Sequence, residues 1–538
     1  MAALAARARM AYDSRAMNLL ALLLAPLAAT DTAPPRGIPP STVCYEVFVR
    51  SFYDSDGDGI GDLNGLTLKL GYIEDLGARC IWLMPVAESP SYHGYDVTDY
   101  YRVEPDYGTN EDFKRFVAEA HRRGIRVLVD LVLNHISSEH PSFQAALRDS
   151  ASPYRSWFRW SRTPGPKNQW GGDNWHRSPV RDEYYYGFFW SGMPDLNFET
   201  AAVREEAKRV ARYWLEEMKV DGFRLDAIRH LFEDGAQTAN VPATHTYLRE
   251  FTSYLRGVAP NSFTIGEVWD STHALLPYYP DQLDAYFAFE VSDAILDAVR
   301  IGSAAKLFPA VMRAQRDLPA GRWSPFLRNH DQTRTLTALR GDVAGARLAA
   351  TLLLTFPGLP FVYYGEEIGM TGDKPDPRLR TPMQWSRAPG AGFTRGTPWE
   401  RLQPDSLTAT VEAAEADSTS LLHLHRRLIR LRAETPALGA GELVPLETGH
   451  DAVAAYLRRV PGETRAVLVI LNLGTAPLAG VTVTSGDRVL PAGRYTSRRL
   501  LGAVTSAAPL RVGPDGRIRG WVPAPTLAPR QSVVLELK

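Results

Sequence analysis

Eight short apolar runs recur along the chain, and most are followed by a segment whose apolar residues have helical spacing. The segment EDFKRFVAEAHRRG, for example, has this spacing and ends in a glycine, which is typical of a helix end. A repeated alternation of strand and helix favours parallel strands joined by helical crossovers, as in a (β/α)8 TIM barrel. The predicted strands lie near residues 43–50, 80–84, 126–131, 220–226, 263–267, 284–288, 324–329 and 360–364.

Two segments depart from this alternation. Between the third strand and the helix that starts near Thr200, residues 135–199 are rich in Trp, Tyr, Gly and Pro, which indicates a small inserted domain over the barrel mouth. Aromatic side chains there could pack internally or stack on the apolar faces of sugars. From residue 439 to 538 short alternating runs predict a C-terminal antiparallel β-sandwich. The predicted α/β barrel therefore occupies residues 41–134 and 200–438.

The N-terminus predicts export. Residues 1–34 carry arginines, then an apolar run from Leu19 to Leu24, then small residues and prolines, which is the plan of a secretory signal peptide and a linker. No later segment is long enough to cross a bilayer, so no membrane anchor is expected. The prediction is a secreted protein, extracellular or periplasmic. We expect a monomer.

Charge and cysteine content add two expectations. The chain has 60 Lys and Arg against 61 Asp and Glu, so nothing indicates a nucleic-acid partner. Cys44 and Cys80 fall in consecutive predicted strands. We expect two buried free thiols, with a disulfide as the alternative that export would permit.

Acidic residues stand at the ends of several predicted strands, where barrel enzymes place their chemistry. Asp226, Glu267 and Asp331 follow three different strands and should therefore converge on one rim. Arg224 lies two residues before Asp226, on the same face of its strand, so it should lower the pKa of that carboxyl, as a nucleophile requires. A structural ion pair is the alternative for Arg224 and Asp226. Glu267 has apolar neighbours that should raise its pKa, as a general acid requires.

The motifs DLVLNH, DGFRLDAIRH, GEVW and FLRNHD, in this order, resemble those of the α-amylase family of retaining glycoside hydrolases. The resemblance implies that Asp226 is the nucleophile, Glu267 the general acid/base and Asp331 a stabiliser of the transition state. It also implies substrate-positioning roles for a set of supporting residues, namely Arg224, His135 and His330.

Further segments resemble parts of the same family. HGYDVTDY implies that Tyr95 stacks under the reacting glucose and that Asp96 contacts its far hydroxyls, with Arg378 as a candidate partner for Asp96. Arg229 and His230 resemble a pair that holds the glucose beyond the cleaved bond. MPDLNFET and RTPMQW resemble a subgroup between oligo-1,6-glucosidases and neopullulanases.

The loop DSDGDGIGD alternates carboxylates with glycine. It resembles the start of an EF-hand, but Gly65 stands where the bidentate glutamate would be, so an EF-hand is excluded. Family resemblance implies Ca²⁺ binding by this loop and by Asn134, and the alternative is a solvated acidic turn. The expected loop ligands are Asp54, Asp56, Asp58, the Ile60 carbonyl and Asp62.

Together these observations predict a secreted, calcium-binding, retaining hydrolase of α-1,4-glucans such as starch and maltooligosaccharides. One alternative is a transglycosylase or isomerase of the same family, similar to trehalose synthase, although the predicted signal peptide argues against it. An α-glucosidase is another alternative. A catalytically inactive carbohydrate-binding relative is disfavoured because all three carboxylates are present.

Overall fold

The computed structural model describes residues 37–165, 167, 171–503 and 508–538. The predicted signal peptide and linker, residues 1–34, lie outside this range. Eight parallel strands form one sheet in the order β7-β6-β5-β4-β3-β2-β1-β8, so β1 lies between β2 and β8 and the sheet curls into a nearly closed barrel. The prediction of an α/β barrel is confirmed. The strands are β1 Cys44–Val47, β2 Cys80–Leu83, β3 Arg126–Leu131, β4 Gly222–Leu225, β5 Phe263–Gly266, β6 Ala285–Phe287, β7 Trp323–Ser324 and β8 Phe361–Tyr363.

Amphipathic helices connect the strands. The helix Asn110–Arg122 begins with a capping box, in which Thr109 and Asp112 each satisfy the other's backbone N–H. Its residues Phe113, Val117 and Ala120 recur at helical spacing and are buried, so this face packs on the barrel. The main helices are Leu63–Leu68, Leu70–Leu76, Asn110–Arg122, Ala201–Glu216, Pro242–Val258, Phe289–Ile301, Leu307–Asp317, Val343–Thr355 and Leu421–Glu434. In the described part of the chain, no helix is both long enough and apolar enough to cross a membrane.

Strand register sets the geometry of the barrel mouth. Asp130 in β3 pairs with Arg224 in β4, and Leu225 pairs with Gly266 in β5. Gly222 has a φ of +154°, and a Cβ there would lie 1.8 Å from the Phe263 carbonyl oxygen. Only glycine lets β4 and β5 approach this closely at the start of β4, two residues before Arg224.

The two cysteines form a disulfide, so the expectation of free buried thiols is wrong. Cys44 and Cys80 are register partners on β1 and β2, with Cα atoms 4.4 Å apart. This separation is within the range that a disulfide requires. The alternation of the sequence cannot reveal it, because it depends on which residues face each other across neighbouring strands.

Residues between β3 and the helix Ala201–Glu216 carry a separate small structure. It contains the helix Pro141–Arg148 and a three-stranded antiparallel sheet. Phe143 packs against Phe158 and Tyr185 there, with ring centroids 4.9 and 5.0 Å apart. The sheet strands are, in spatial order, Trp160–Ser161, Tyr184–Tyr186 and Trp175–Arg177.

A five-stranded antiparallel sheet follows the last barrel helix. Successive residues of its strands face two different hydrophobic cores. Ala455 and Leu457 belong to a separate core with Val483, whereas Tyr456, between them, packs against the barrel at Phe356. This period of two confirms the prediction of a C-terminal antiparallel β domain. The strands are β9 Glu442–Pro445, β10 Val453–Arg459, β11 Ala466–Asn472, β12 Ser497–Leu501 and β13 Ser532–Leu537, in the spatial order β9-β10-β11-β13-β12.

Candidate active site

A cavity of about 810 Å³ opens at the carboxyl ends of the barrel strands. This volume suits several sugar rings, because ligand cavities typically measure about 300 to 1,000 Å³. Most of the residues that the sequence predicts for the site line it together. They are Tyr95, His135, Asp226, Arg229, His230, Glu267 and Asp331, joined by Ala227 and by His93, Phe189, Trp190, Met193, Trp269, Lys374, Asp376 and Arg380.

Arg224 lies at the floor of the site and connects three carboxylates. Its Nη1 donates to both oxygens of Asp130, at 2.8 and 2.9 Å, and to Asp226 Oδ1 at 2.6 Å. Its Nη2 lies 2.9 Å from Glu267 Oε2, which also accepts a hydrogen bond from the Ala227 backbone N–H at 3.1 Å. One guanidinium therefore orients both carboxyl groups of the predicted catalytic pair.

Burial decides the protonation tendencies of this pair. It raises the pKa of Glu267, against the opposing effect of Arg224, and the charges of Asp226 and Asp331 raise it further. The rise at Glu267 agrees with the prediction. Burial also raises the pKa of Asp226, and Arg224 only partly offsets it. The predicted net lowering at Asp226 is therefore wrong, because strand alternation places Arg224 beside Asp226 without showing that both are buried.

Asp331 has a different environment. Although burial raises its pKa, His330 and Arg380 outweigh that effect and hold the pKa well below the usual range. His330 Nε2 lies 3.1 Å from Asp331 Oδ2, and Arg380 Nη2 donates to Oδ1 at 2.8 Å. Asp331 is thus the carboxylate of the three that stays ionised most readily.

The two predicted glucose contacts, Tyr95 and Asp96, lie in different surroundings. The Tyr95 hydroxyl donates to Asp130 Oδ2 at 3.0 Å, and its ring lines the cavity. Asp96 is buried beside the cavity lining and accepts hydrogen bonds from Ser89 and Ser91. Its carboxylate is held by hydroxyl groups.

The arginine proposed as the partner of Asp96 lies elsewhere. Arg378 contacts Glu400 and Gln403, both at 3.0 Å, so the suggestion that it pairs with Asp96 is wrong. In the same segment Arg380, two residues later in the chain, lines the cavity.

Three other predicted contacts line the cavity. Burial lowers the pKa of His135 to about 3, so the imidazole is neutral, and its Nε2 has no hydrogen-bond partner within the described residues. Burial likewise lowers the pKa of His230 to about 4, and His230 Nδ1 donates to the Thr238 carbonyl at 2.7 Å. Arg229 donates to the Trp269 carbonyl at 2.5 Å. His135 and His230 are therefore neutral hydrogen-bonding groups at neutral pH.

Several cavity residues escaped sequence reasoning. Trp190 and Trp269 are 50% and 47% exposed, and the Trp269 ring stacks on Phe289 with centroids 5.0 Å apart. An exposed indole in a cavity offers a flat apolar surface for a sugar ring. The aromatic richness of residues 135–199 pointed to Trp190, and Arg380 is the first residue of the RTPMQW motif. Nothing in the sequence singled out Lys374.

The carboxylates of the acidic loop after β1 have two different surroundings. Carboxylate oxygens of Asp54, Asp56 and Asp58 lie within 4.8 Å of one another. Burial and the neighbouring carboxylates raise the pKa of Asp58, as expected where like charges converge. Asp62 instead caps the helix Leu63–Leu68 and accepts from Ser55.

These contacts bear on how the loop could hold a cation. Hard oxygen donors suit Ca²⁺, so the three converging carboxylates fit such an ion. Asp62 is not among the converging carboxylates, and its oxygens accept from the helix cap and from Ser55. The oxygens of Asp54 also accept hydrogen bonds, from the backbone N–H groups of residues 56, 57 and 59 and from the Thr394 hydroxyl. The Ile60 N–H donates to Asp58 Oδ1 at 2.8 Å, which places Ile60 at the edge of the cluster. The Asn134 amide donates to Asp195 Oδ2 at 3.1 Å.

An eight-stranded parallel barrel with carboxyl groups paired at the carboxyl ends of its strands fits the two-carboxylate chemistry of the glycosidase class. Residues 46–441 match the family described as alpha amylase, catalytic domain, and the chain belongs to the alpha-amylase family.

Relatives within the family have different activities. The chain is 39% identical over 438 residues to alpha-amylase 3 of Dictyoglomus thermophilum, covering 80% of this chain and 85% of that protein. It is 35% identical over 500 residues to the trehalose synthase/amylase TreS of Mycolicibacterium smegmatis, covering 81% and 84%. The crystal structure of an alpha-amylase from H. orenii matches with a TM-score of 0.79 and 38% identity, covering 92% of this chain and 99% of that one.

Proposed function

We propose that this protein hydrolyses α-1,4-glucosidic bonds of starch and maltooligosaccharides with retention of configuration at the anomeric carbon. The observation that carries the proposal is the single guanidinium of Arg224 that contacts both Asp226 and Glu267 at the floor of the cavity. A retaining glycosidase needs its two carboxyl groups about 5 Å apart, and a shared guanidinium is compatible with that spacing.

In the first step Asp226, ionised at a working pH above its pKa, attacks the anomeric carbon, and Glu267 protonates the departing glycosidic oxygen. Burial favours the protonated form of Glu267, which this step requires. Asp331 stays ionised and stabilises the positive charge that develops on the sugar ring. In the second step Glu267 takes a proton from water, which attacks the glycosyl intermediate and releases Asp226.

The experiment is product analysis combined with substitution of the pair. Maltoheptaose should yield shorter maltooligosaccharides whose new reducing ends are first released as the α-anomer, which ¹H NMR detects. Asp226→Asn and Glu267→Gln should each retain the fold by circular dichroism and lose more than about nine-tenths of kcat/KM, which corresponds to at least 1.4 kcal/mol of transition-state stabilisation.

Asp270→Asn is a matched control, since Asp270 lies three residues after Glu267 and its contacts are with Arg229, at 3.3 Å, and with the Ser271 backbone N–H, at 2.7 Å, rather than with either member of the pair. We expect it to keep most of the activity. A folded Asp226→Asn protein with activity comparable to that of this control would remove the assignment.

The second candidate is glycosyl transfer or isomerisation, and the similarity to TreS favours it. It uses the same two carboxylates, with a sugar hydroxyl in place of water. Incubation with maltose separates the two: accumulation of trehalose or of longer oligosaccharides at the expense of free glucose supports transfer.

The proposal extends to the protein's setting. We propose that the protein is exported, on the basis of the signal-peptide pattern in residues 1–34, and that it is a monomer. We also propose that Asp54, Asp56 and Asp58 hold Ca²⁺, on the basis of their converging carboxylates. A bound ion would hold the three side chains together and so fix the loop after β1, whose backbone they already contact.

A further inference from the structure

Glu46 is a buried acid on β1 directly beneath the catalytic rim. Its side chain is 2% exposed, and its Oε1 lies 2.5 Å from Nδ1 of His330, which is itself completely buried. The neighbouring strands hold its backbone, because Glu46 pairs with Trp82 on β2 and with Tyr363 on β8. The carboxylate is therefore fixed in position.

Both ring nitrogens of His330 face acceptors. Nδ1 faces the Glu46 carboxylate. Nε2 lies 3.1 Å from Asp331 Oδ2 and 2.7 Å from the hydroxyl oxygen of Tyr95. The Tyr95 hydroxyl has a single proton, so when it donates that proton to Asp130, 3.0 Å away, it accepts from His330. This arrangement is satisfied when each nitrogen of His330 carries a proton.

We propose that Glu46 is a positioning residue that keeps His330 as a cation, so that His330 in turn holds Asp331 ionised and in place for the transition state. The role of Asp331 in this proposal rests on the proposed glycosidase function. Glu46 itself acts only through His330, because it is not among the residues that line the cavity.

The charges around His330 support this reading. Burial alone lowers the pKa of His330, but Asp331 and Glu46 outweigh it and raise the pKa to about 9. Several elements contribute titratable or charged groups around His330. Glu46 comes from β1, Tyr95 from the loop after β2 and Asp331 from the loop after β7. Asp130 on β3 and Asp226 just after β4 interact with His330 electrostatically. Arg224 on β4 acts on Glu46, and Arg380 donates to the His330 carbonyl.

The test compares Glu46→Gln with Glu367→Gln. A glutamine at position 46 can still accept the Nδ1 proton through its amide oxygen, so it removes the charge and keeps the hydrogen bond. Glu367 is an equally buried acid that accepts from Tyr45 and Tyr72 at 2.7 and 2.6 Å and does not touch His330. It therefore controls for the general cost of neutralising a buried glutamate.

Two measurements decide the outcome. NMR of histidine-labelled protein, with the His330 signal assigned by its loss in His330→Gln, should show a wild-type pKa near 9 that falls toward the ordinary histidine range in Glu46→Gln and stays in Glu367→Gln. With a chromogenic maltooligosaccharide, kcat/KM of Glu46→Gln should be about tenfold below that of wild type at pH 8.5 but less than about threefold below it at pH 6. The reason is that His330 loses its proton at a lower pH in the variant.

A wild-type His330 that is neutral at pH 8 would overturn the proposal even if Glu46→Gln did not fold. So would a Glu46→Gln protein with an unchanged His330 titration and pH profile. If wild-type protein fails to cleave the α-glucan, the proposed function is wrong, and the NMR titration still decides whether Glu46 keeps His330 charged.

Discussion

Replacing Arg224 should destabilise the protein in a way that depends on pH. The side chain is 1% exposed and contacts Asp130, Asp226 and Glu267. Arg224→Met leaves three buried carboxyl groups without their cation. Removing one partner of a buried ion pair typically costs about 3 to 5 kcal/mol.

The pH dependence follows from the direction of the pKa shifts. Burial already raises the pKa of all three carboxyls, that of Asp130 to about 7, and Arg224 opposes each rise. Without Arg224 each pKa in the folded protein rises further above its unfolded value. When an acid has a higher pKa in the folded than in the unfolded protein, the protein loses stability as the pH rises from the unfolded pKa to the folded pKa. The loss is about 1.4 kcal/mol for each unit of difference between these two pKa values. The deficit of Arg224→Met should therefore be less than about half as large at pH 5 as at pH 7.5, and it should keep growing until the pH passes the raised pKa values of the variant.

The assay is the difference in Tm between variant and wild type at the two pH values. Arg432→Met is the matched control, since Arg432 is equally buried and its hydrogen bonds go to backbone carbonyls of Pro40, Leu354, Phe356 and Gly358. Its deficit should be the same at both values. An Arg224→Met deficit that does not change between pH 5 and pH 7.5 would refute the claim that the unpaired carboxylates cause it.

Three further predictions concern the rest of the site. Chelation of Ca²⁺ should lower Tm, and added Ca²⁺ should restore it. The double variant Asp56→Ala, Asp58→Ala should abolish that response, and an unchanged response would place the ion elsewhere. Maltotriose should be cleaved at least about tenfold faster than isomaltotriose, because Ala227 leaves room beside the nucleophile, and Ala227→Val should shift the ratio toward isomaltotriose. Faster cleavage of isomaltotriose by wild type would contradict this preference. Trp269→Ala should raise KM for maltoheptaose about tenfold with little change in kcat, because the exposed indole binds sugar in the ground state and the transition state alike. An unchanged KM would show that Trp269 does not stack on the substrate.

Ala227 also shows where structure adds a constraint to that test. Its φ is +45°, in the left-handed region that β-branched residues avoid. Ala227→Val should therefore cost stability as well as change linkage preference. Normalising rates to folded protein by active-site titration separates the two effects.

Local patterns determined the barrel and the identity of the three carboxylates. Strand and helix periods arise from the backbone geometry of a few neighbouring residues, so seven of the eight strands could be placed to within three residues of those observed. The predicted end of β7 lies five residues beyond the observed one. The carboxyl ends of parallel strands meet on one face, so Asp226, Glu267 and Asp331 could be assigned to one rim before any distance was known.

Tertiary structure decided what depends on partners distant in sequence. The disulfide needed the register of β1 against β2, and the raised pKa of Asp226 needed the burial that the whole barrel mouth imposes. Glu46 reaches His330 across 284 residues of chain, and Arg380 reaches Asp331 from the segment after β8, which lines the cavity. Periodicity reports which face a residue occupies on its own element. The charges and surfaces on the opposite side of the contact come from other elements, and they determine protonation and pairing.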